Sequence, residues 1–402
     1  MDNFSGKIYD TVIVGGGASG LACALELGRL GKGESTLVLE RNDRAGKKLL
    51  ATGNGQGNLC NRNFSEKFYH GDRSFVKRFC EHKESVDIEK YLYGLGIPLY
   101  VSQDGKEYPA SRQASSVLDI FRERLSESGV ATVTSFFVKE ISERGEVFFV
   151  SDGEKVVRGK NVVLSFGGKS GDGFGTDGSS YVLAEKFGHK TTALFPSLVQ
   201  LKTEKEPIRG LENVKELATV RAYDGERFLK EFTGDLLFTD YGVSGNSVFA
   251  LSGYLCGAKN PLLKIRFLPW LTDEQALRTI KDKLSHNASA ENGALCGLIH
   301  KRLGKTVMKI ARDKTPKAVF ETVRNFTLKV TGDNGFRNSQ VTKGGIAVKD
   351  VDSDTFESRL KKNLYLTGEA LDVDGDCGGY NLTFAFVSGI VVARRIALND
   401  KI

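Results

Sequence analysis

A chain of 402 residues with 40% hydrophobic and 27% charged content buries a substantial core without covalent staples, which excludes a disordered or disulfide-framed protein. The net charge of +7, from 57 Lys and Arg against 50 Asp and Glu, reads as a mild excess spread along the chain and gives a nucleic-acid role little support. Six cysteines without CxxC or zinc-like spacing point to reduced, mostly buried thiols and no metal; with no leader and no apolar run near the roughly 20 residues of a membrane span, a cytoplasmic protein is expected.

Tyr9 to Val14 predict a β-strand that runs into Gly15-Gly16-Gly17-Ala18-Ser19-Gly20 and then into the helix-favouring LACALELGRLG. Gly15, Gly17 and Gly20 meet the G-x-G-x-x-G pattern in that context: the first turns the chain, the second admits a pyrophosphate, the third lets helix pack on strand. The helix start, with Ala18 and Ser19, then turns free N–H groups to the phosphates. A second strand, Thr36 to Leu39, ends at Glu40 with Arg41 beside it. Glu40 lies twenty residues past Gly20, where a carboxylate accepts from an unphosphorylated adenosine ribose.

The following RNDRAGKKLLATGNGQGNLCN exceeds what a nicotinamide dehydrogenase needs here. It offers Lys47, Lys48 and Leu49, then a loop with Gly53, Asn54, Gly55 and Asn58, to lie along the diphosphate and rings of a long dinucleotide; FAD fits better than NAD. A plain turn with solvated lysines is the alternative. In mid-chain, Gly171 to Thr176 approximates a second glycine fingerprint but puts Thr176 at its third glycine. NADH or NADPH, if used as electron donor, therefore reaches the flavin without a full domain of its own. None of the five histidines, His70, His82, His189, His286 and His300, has catalytic spacing.

Leu364 to Thr367 predict a short strand delivering Gly368 and Glu369. Asp372, Asp374 and Asp376 alternate like calcium ligands, but the pattern needs Gly where Cys377 stands and Glu where Thr383 stands. Gly378 and Gly379 instead precede an apolar helix from Asn381 and Leu382 onward, where free N–H groups face the flavin pyrimidine carbonyls. Either Glu369 or Asp372 bonds the ribityl chain.

The Gly15 fingerprint, GKKLLATGNGQGN (Gly46 to Asn58), VVLSFGGKS (Val162 to Ser170, with Gly167 and Gly168) and GEALDVDGDCGGYNLTFAFVSG (Gly368 to Gly389) together resemble the BaiN-type bacterial flavoproteins, a family associated with aminoacetone oxidation and bile-acid ene reduction. The resemblance spans nearly the whole chain. It implies an α/β architecture: a glutathione-reductase-like, Rossmann-type FAD-binding domain of residues 1–190 and 336–402, interrupted at 191–335. The insert is a β-barrel at about 191–270 and 320–335 with a helical subdomain at about 271–319. Strand-like LVQLKT, ATVRAY, RFLKEF and FTLKVTG around the helix-like stretch Asp273 to Arg312 agree with it.

The resemblance also implies an FAD-dependent oxidoreductase that draws on NADH or NADPH to reduce an activated C=C in a small or hydrophobic organic molecule. An O₂-using oxidase of a small amine, and a flavin protein of sensory duty, are the alternatives. It puts Tyr380 at the glycine pair beside the flavin, as a candidate acid or as a packed tyrosine bonded to backbone. Gln56 and Gly57 stand where the family has Arg and Cys, and Phe238-Thr239-Asp240 where it has Phe-Thr-His. Asp240 and Ser244 are weaker candidates for the substrate side. The nearest thiol pair, Cys60 and Cys80, is too far apart in sequence for a flavin disulfide reductase.

Overall fold

The computed structural model describes residues 6–286 and 293–399; positions 287–292, inside the stretch expected to be helical, lie outside the described residues. The chain divides into two compact units, Met1–Phe195 with Val341–Ile402, and Pro196–Gln340.

In the first unit, strands Ala131–Val133, Thr36–Leu39, Ile8–Val14 and Val156–Leu164 lie side by side in that order, all parallel. Strand Val156–Leu164 divides its edge. Its early residues pair antiparallel with Val147–Ser151, its late ones parallel with Leu364–Leu366, so the distant carboxyl segment completes the same sheet. Thr36–Leu39 is buried along its whole length, as a parallel strand covered on both faces requires.

Helices Ala18–Arg29 and Tyr380–Asn399 pack on each other so closely that a Cβ on Gly389 would lie 2.3 Å from Ser19 O. Glu26, fully buried at the side chain, joins them: its carboxylate accepts from Arg29 Nε at 2.7 Å and from Arg394 Nε at 2.8 Å. The helix Tyr380–Asn399 is long and apolar enough to cross a bilayer, unlike the expectation that no run approaches that length. Packing explains its composition. Phe384, Phe386, Val387, Ile390 and Val392 are buried in the core of this unit.

The second unit holds a closed six-stranded barrel, in the order Leu201–Thr203, Gly242–Ser244, Arg227–Phe238, Lys215–Asp224, Pro261–Phe267, Phe326–Asp333, with the last strand pairing back to the first. Alternation fills it: Ala218, Val220 and Ala222 point inward, and Phe238, Phe267 and Phe326 meet with ring centroids 5.7–6.4 Å apart. Helices Asp273–His286, Lys301–Ile310 and Pro316–Arg324 belong to the same unit. The last starts where Thr315 caps it by accepting from Ala318 N and Pro316 opens its first turn, and it runs to Arg324, past position 319.

The charge excess is not spread. Residues 301–317 hold seven cations, Lys301, Arg302, Lys305, Lys309, Arg312, Lys314 and Lys317, against the single acid Asp313, a net of 7 − 1 = +6 beside +7 for the whole chain. All seven are exposed, because Leu303, Val307 and Met308 take the inward face of helix Lys301–Ile310.

Candidate cofactor site

The three fingerprint glycines differ in what surrounds them. Gly15 has φ +107° and a Cβ there would sit 2.4 Å from Ser165 O, while at Gly20 it would sit 2.0 Å from Gly15 O. At Gly17 nothing lies within 4 Å. The first and third are thus fixed by protein packing, and the second borders open space at the start of helix Ala18–Arg29, where no side chain caps the N–H groups.

Glu40 is buried against this turn. Its Oε2 accepts from Gly16 N at 2.9 Å, and Oε1 accepts from Asn42 N at 2.8 Å and Nδ2 at 2.7 Å. Arg41 turns away from the turn: it forms a two-pronged pair with Asp177 at 2.9 and 3.2 Å and lies over the Phe137 ring. Burial alone would raise the Asp177 carboxyl, but Arg41 and Ser179 hold it well below the ordinary range. The segment Gly171–Thr176 is a loop with a single 3₁₀ turn, Asp172–Phe174, and Thr176 Oγ1 donates to Ser170 O and Gly171 O at 2.6 and 2.8 Å. It makes no second strand–turn–helix; instead Phe174 O accepts from Asn42 Nδ2 at 2.9 Å, closing the loop over the Glu40 corner.

A second cluster brings together residues far apart in sequence. Lys48 Nζ donates to Glu369 Oε2 at 2.6 Å, Thr342 N donates to Oε1 at 2.9 Å, and a Cβ on Gly168 would meet Thr342 Oγ1 at 2.4 Å. Thr342 Oγ1 accepts from Lys169 N and Ser170 N, fixing the backbone just after Gly167 and Gly168. Lys47 instead pairs with Asp43, Leu49 is buried, and Gly53 and Asn54 carry left-handed backbone in the loop before Asn58. Burial raises the Asp372 carboxyl, only partly offset by a Thr192 hydrogen bond and by Lys343.

Tyr181 is a residue the sequence reading missed. Its ring packs edge-on against Phe166, its hydroxyl is raised by burial and by the charges of Glu369 and Asp372, and that hydroxyl is buried with no partner among the described residues. Thr367 Oγ1, on the run that delivers Gly368, is in the same condition. The only sequence signal for Tyr181 was its place after a glycine-rich loop.

The carboxyl-terminal stretch corrects one expectation. Gly379 N is not free. With the Asn58 amide oriented to satisfy both neighbours, its Oδ1 accepts from Gly379 N and its Nδ2 donates to Cys60 O, each at 3.1 Å. A Cβ on Gly379 would lie 2.5 Å from Cys60 O, so glycine is required there by the protein's own backbone. Among the described residues the first-turn N–H groups of Tyr380, Asn381 and Leu382 have no acceptor, whereas Thr383 N donates to Gly379 O.

Asn381 spends its amide on Gly375, accepting from its N at 2.8 Å and donating to its O at 2.7 Å, which ties strand Val373–Gly375 to the helix. Tyr380 stacks on Phe68 at 4.6 Å, donates to Asn63 O at 3.2 Å, and is pushed up to about 12 by burial and by Asp376, Asp104 and Cys377. This is the packed, backbone-bonded arrangement, one of the two expected for it. Asp374 lies on the strand paired with Tyr69–Gly71, and Asp376 faces His70 at 2.9 Å, so these acids serve the sheet.

Cys60 donates to the buried Glu107 at 2.7 Å, and the six cysteines are all free, two buried and four half-buried. In the barrel unit, Asp240 is exposed in the turn that joins Arg227–Phe238 to Gly242–Ser244, held by Thr239 N donating to Gly242 O. Ser244 is buried on that second strand.

A dinucleotide with a long polar chain fits what these residues leave open: the uncapped helix start with room beside Gly17, the Oε2 of Glu40, which accepts a single hydrogen bond, and the hydroxyls of Tyr181 and Thr367, unpartnered among the described residues. Residues 9–395 match the family model described as HI0933-like protein Rossmann domain. The 3-dehydro-bile acid delta(4,6)-reductase of Clostridium scindens is 34% identical over 405 residues, covering 96% of this chain and 98% of the relative. The ribosomal RNA dihydrouridine synthase of Haemophilus influenzae is 27% identical over 412 residues, covering 96% and 98%. Among solved structures, 3-ketosteroid delta1-dehydrogenase from Sterolibacterium denitrificans shares the fold, with TM-score 0.56 at 12% identity over 98% of this chain and 100% of that one. With a family model matched from the first strand to the last helix and a relative matched along its full length, the chain belongs to the HI0933-like Rossmann family and is an FAD-dependent oxidoreductase.

Proposed function

We propose that the protein reduces a C=C bond conjugated to a ring carbonyl in a hydrophobic organic molecule, with NADH or NADPH as the source of electrons. The observation that carries this reading is full-length similarity at 34% identity to a reductase named for such a bond. In this reading Gly17, Ala18 and Ser19 hold the pyrophosphate, Glu40 the adenosine ribose, and Glu369 or Asp372, with Tyr181, the ribityl hydroxyls. The loop from Gly53 to Asn58 and Gly167–Gly168 border the rings. Bound FAD supplies hydride chemistry. The first-turn N–H groups of Tyr380, Asn381 and Leu382 stabilise negative charge there by hydrogen bonding and by the helix dipole.

Anaerobic mixing with NADH and NADPH in separate experiments tests it. Bleaching of the flavin absorbance by one of them, reversed on adding a 3-oxo-Δ4,6 bile acid, is the expected result; bleaching by a small amine and by neither nicotinamide would establish an oxidase instead. A second reading keeps the bond chemistry and changes its carrier. The uracil ring also has a C=C conjugated to a carbonyl, a full-length relative is named a ribosomal RNA dihydrouridine synthase, and nearly all of this chain's net charge is gathered at 301–317.

A further inference from the structure

We propose that the exposed face formed by helix Lys301–Ile310, the turn after it and the start of helix Pro316–Arg324 is a docking surface for RNA. The inference rests on the second reading above, that the reduced ring is a uracil carried by RNA.

Lys301, Lys305 and Lys309 recur every four residues on one side of the helix, a row with steps of about 6 Å along its axis. Arg312, Lys314 and Lys317 continue the charge through the turn. Such a row suits a chain of phosphates better than one small anion. Lys309 meets Glu206 at 3.3 Å with both side chains largely in solvent, and Arg302 donates to Gly210 O. Lys301, Lys305, Arg312 and Lys317 have no ion pair among the described residues.

The charges also sit where stability disfavours them. Both helices lack an acid in the first turn and carry cations there, Lys301 and Arg302 in one and Lys317 in the other, against the helix dipole. A fold does not gain from that arrangement; a polyanion does. An anionic membrane is the less fitting occupant, because Leu303, Val307 and Met308 are buried in the core of their own unit and Ile310 alone of this helix's large apolar side chains is exposed, too little to insert.

The test uses the FAD-loaded full chain, a fluorescein-labelled single-stranded oligoribonucleotide and protein-free ribosomal RNA, with NADH or NADPH supplied as the two-electron donor wherever dihydrouridine is measured. Lys305→Glu/Arg312→Glu/Lys317→Glu should bind the oligoribonucleotide at least about tenfold more weakly at physiological salt. The neutral Lys305→Gln/Arg312→Gln/Lys317→Gln should lower the slope of log affinity against log salt by about 2, near 0.7 for each lost phosphate contact. Both should keep their flavin and thermal transition.

The surface proposal falls if both variants bind as the native chain does, or if the native chain ignores the oligoribonucleotide and binds vesicles of equal parts phosphatidylglycerol and phosphatidylcholine. It also falls if ribosomal RNA gains dihydrouridine equally well with the charge-reversed variant, although the substrate reading then survives. RNA binding lost in the variants with no dihydrouridine formed by the native chain keeps the surface and overturns the substrate reading.

Discussion

The glycines of the first turn separate binding from folding. A Cβ at Gly17 meets no protein atom within 4 Å, whereas at Gly20 it would meet Gly15 O at 2.0 Å. Gly17→Val should therefore fold with an unchanged apo thermal transition and bind FAD at least about tenfold more weakly, through contact with the pyrophosphate. Gly20→Val should instead lose the fold itself, by about 3 kcal/mol or more from overpacking. Equilibrium dialysis with FAD and apo melting curves check the pair; equal FAD affinity in Gly17→Val would remove the pyrophosphate from that position. These roles were legible because strand, turn and helix are contiguous. Gly379 was misread for the opposite reason: its neighbour is the Cys60 backbone, which no local pattern announces. Tyr181 escaped likewise, since its exceptional feature is an unpartnered buried hydroxyl, a property of the folded site.

At the level of elements, the junction of helices Ala18–Arg29 and Tyr380–Asn399 depends on one buried acid. Glu26 accepts from Arg29 and Arg394, and although burial opposes its charge, the two guanidiniums hold its carboxyl below the ordinary value. Arg394→Ala should cost about 1–2 kcal/mol in urea unfolding. That is below the ~3–5 kcal/mol of a broken buried pair, because Arg29 remains and the Arg394 side chain is 41% exposed. The pH dependence has a definite sign. A carboxyl with a depressed folded pKa contributes its full stabilisation above the unfolded value, about 4.3 for Glu, and loses it as pH falls from there through the folded value. The native chain should lose more stability than Arg394→Ala across that acid range, and parallel curves would show that Arg394 does not govern Glu26. The contiguous strands Ile8–Val14 and Thr36–Leu39 could be read within a residue from their apolar runs. The hairpin Glu140–Ser151 and the pairing of Leu364–Leu366 with Val156–Leu164 were not, because pairing partners are set by tertiary contacts.

Across the whole molecule, each unit has its own apolar core, one around the parallel sheet and one around the barrel. Every residue of the candidate cofactor site named above lies in the first unit, and the concentrated positive charge lies in the second. Ligands should therefore report on the units separately. FAD at a hundred times its dissociation constant adds about 2.7 kcal/mol to whatever folded unit holds it. For a unit near 250 residues that is a rise of about 5–10 °C in its transition. Calorimetry of apo protein titrated with FAD should show one transition climbing by that amount while another stays fixed. Saturating oligoribonucleotide should raise the transition FAD leaves unmoved. A single transition that climbs as one under either ligand would mean that the units unfold as one cooperative body, and that binding to one is felt throughout the other.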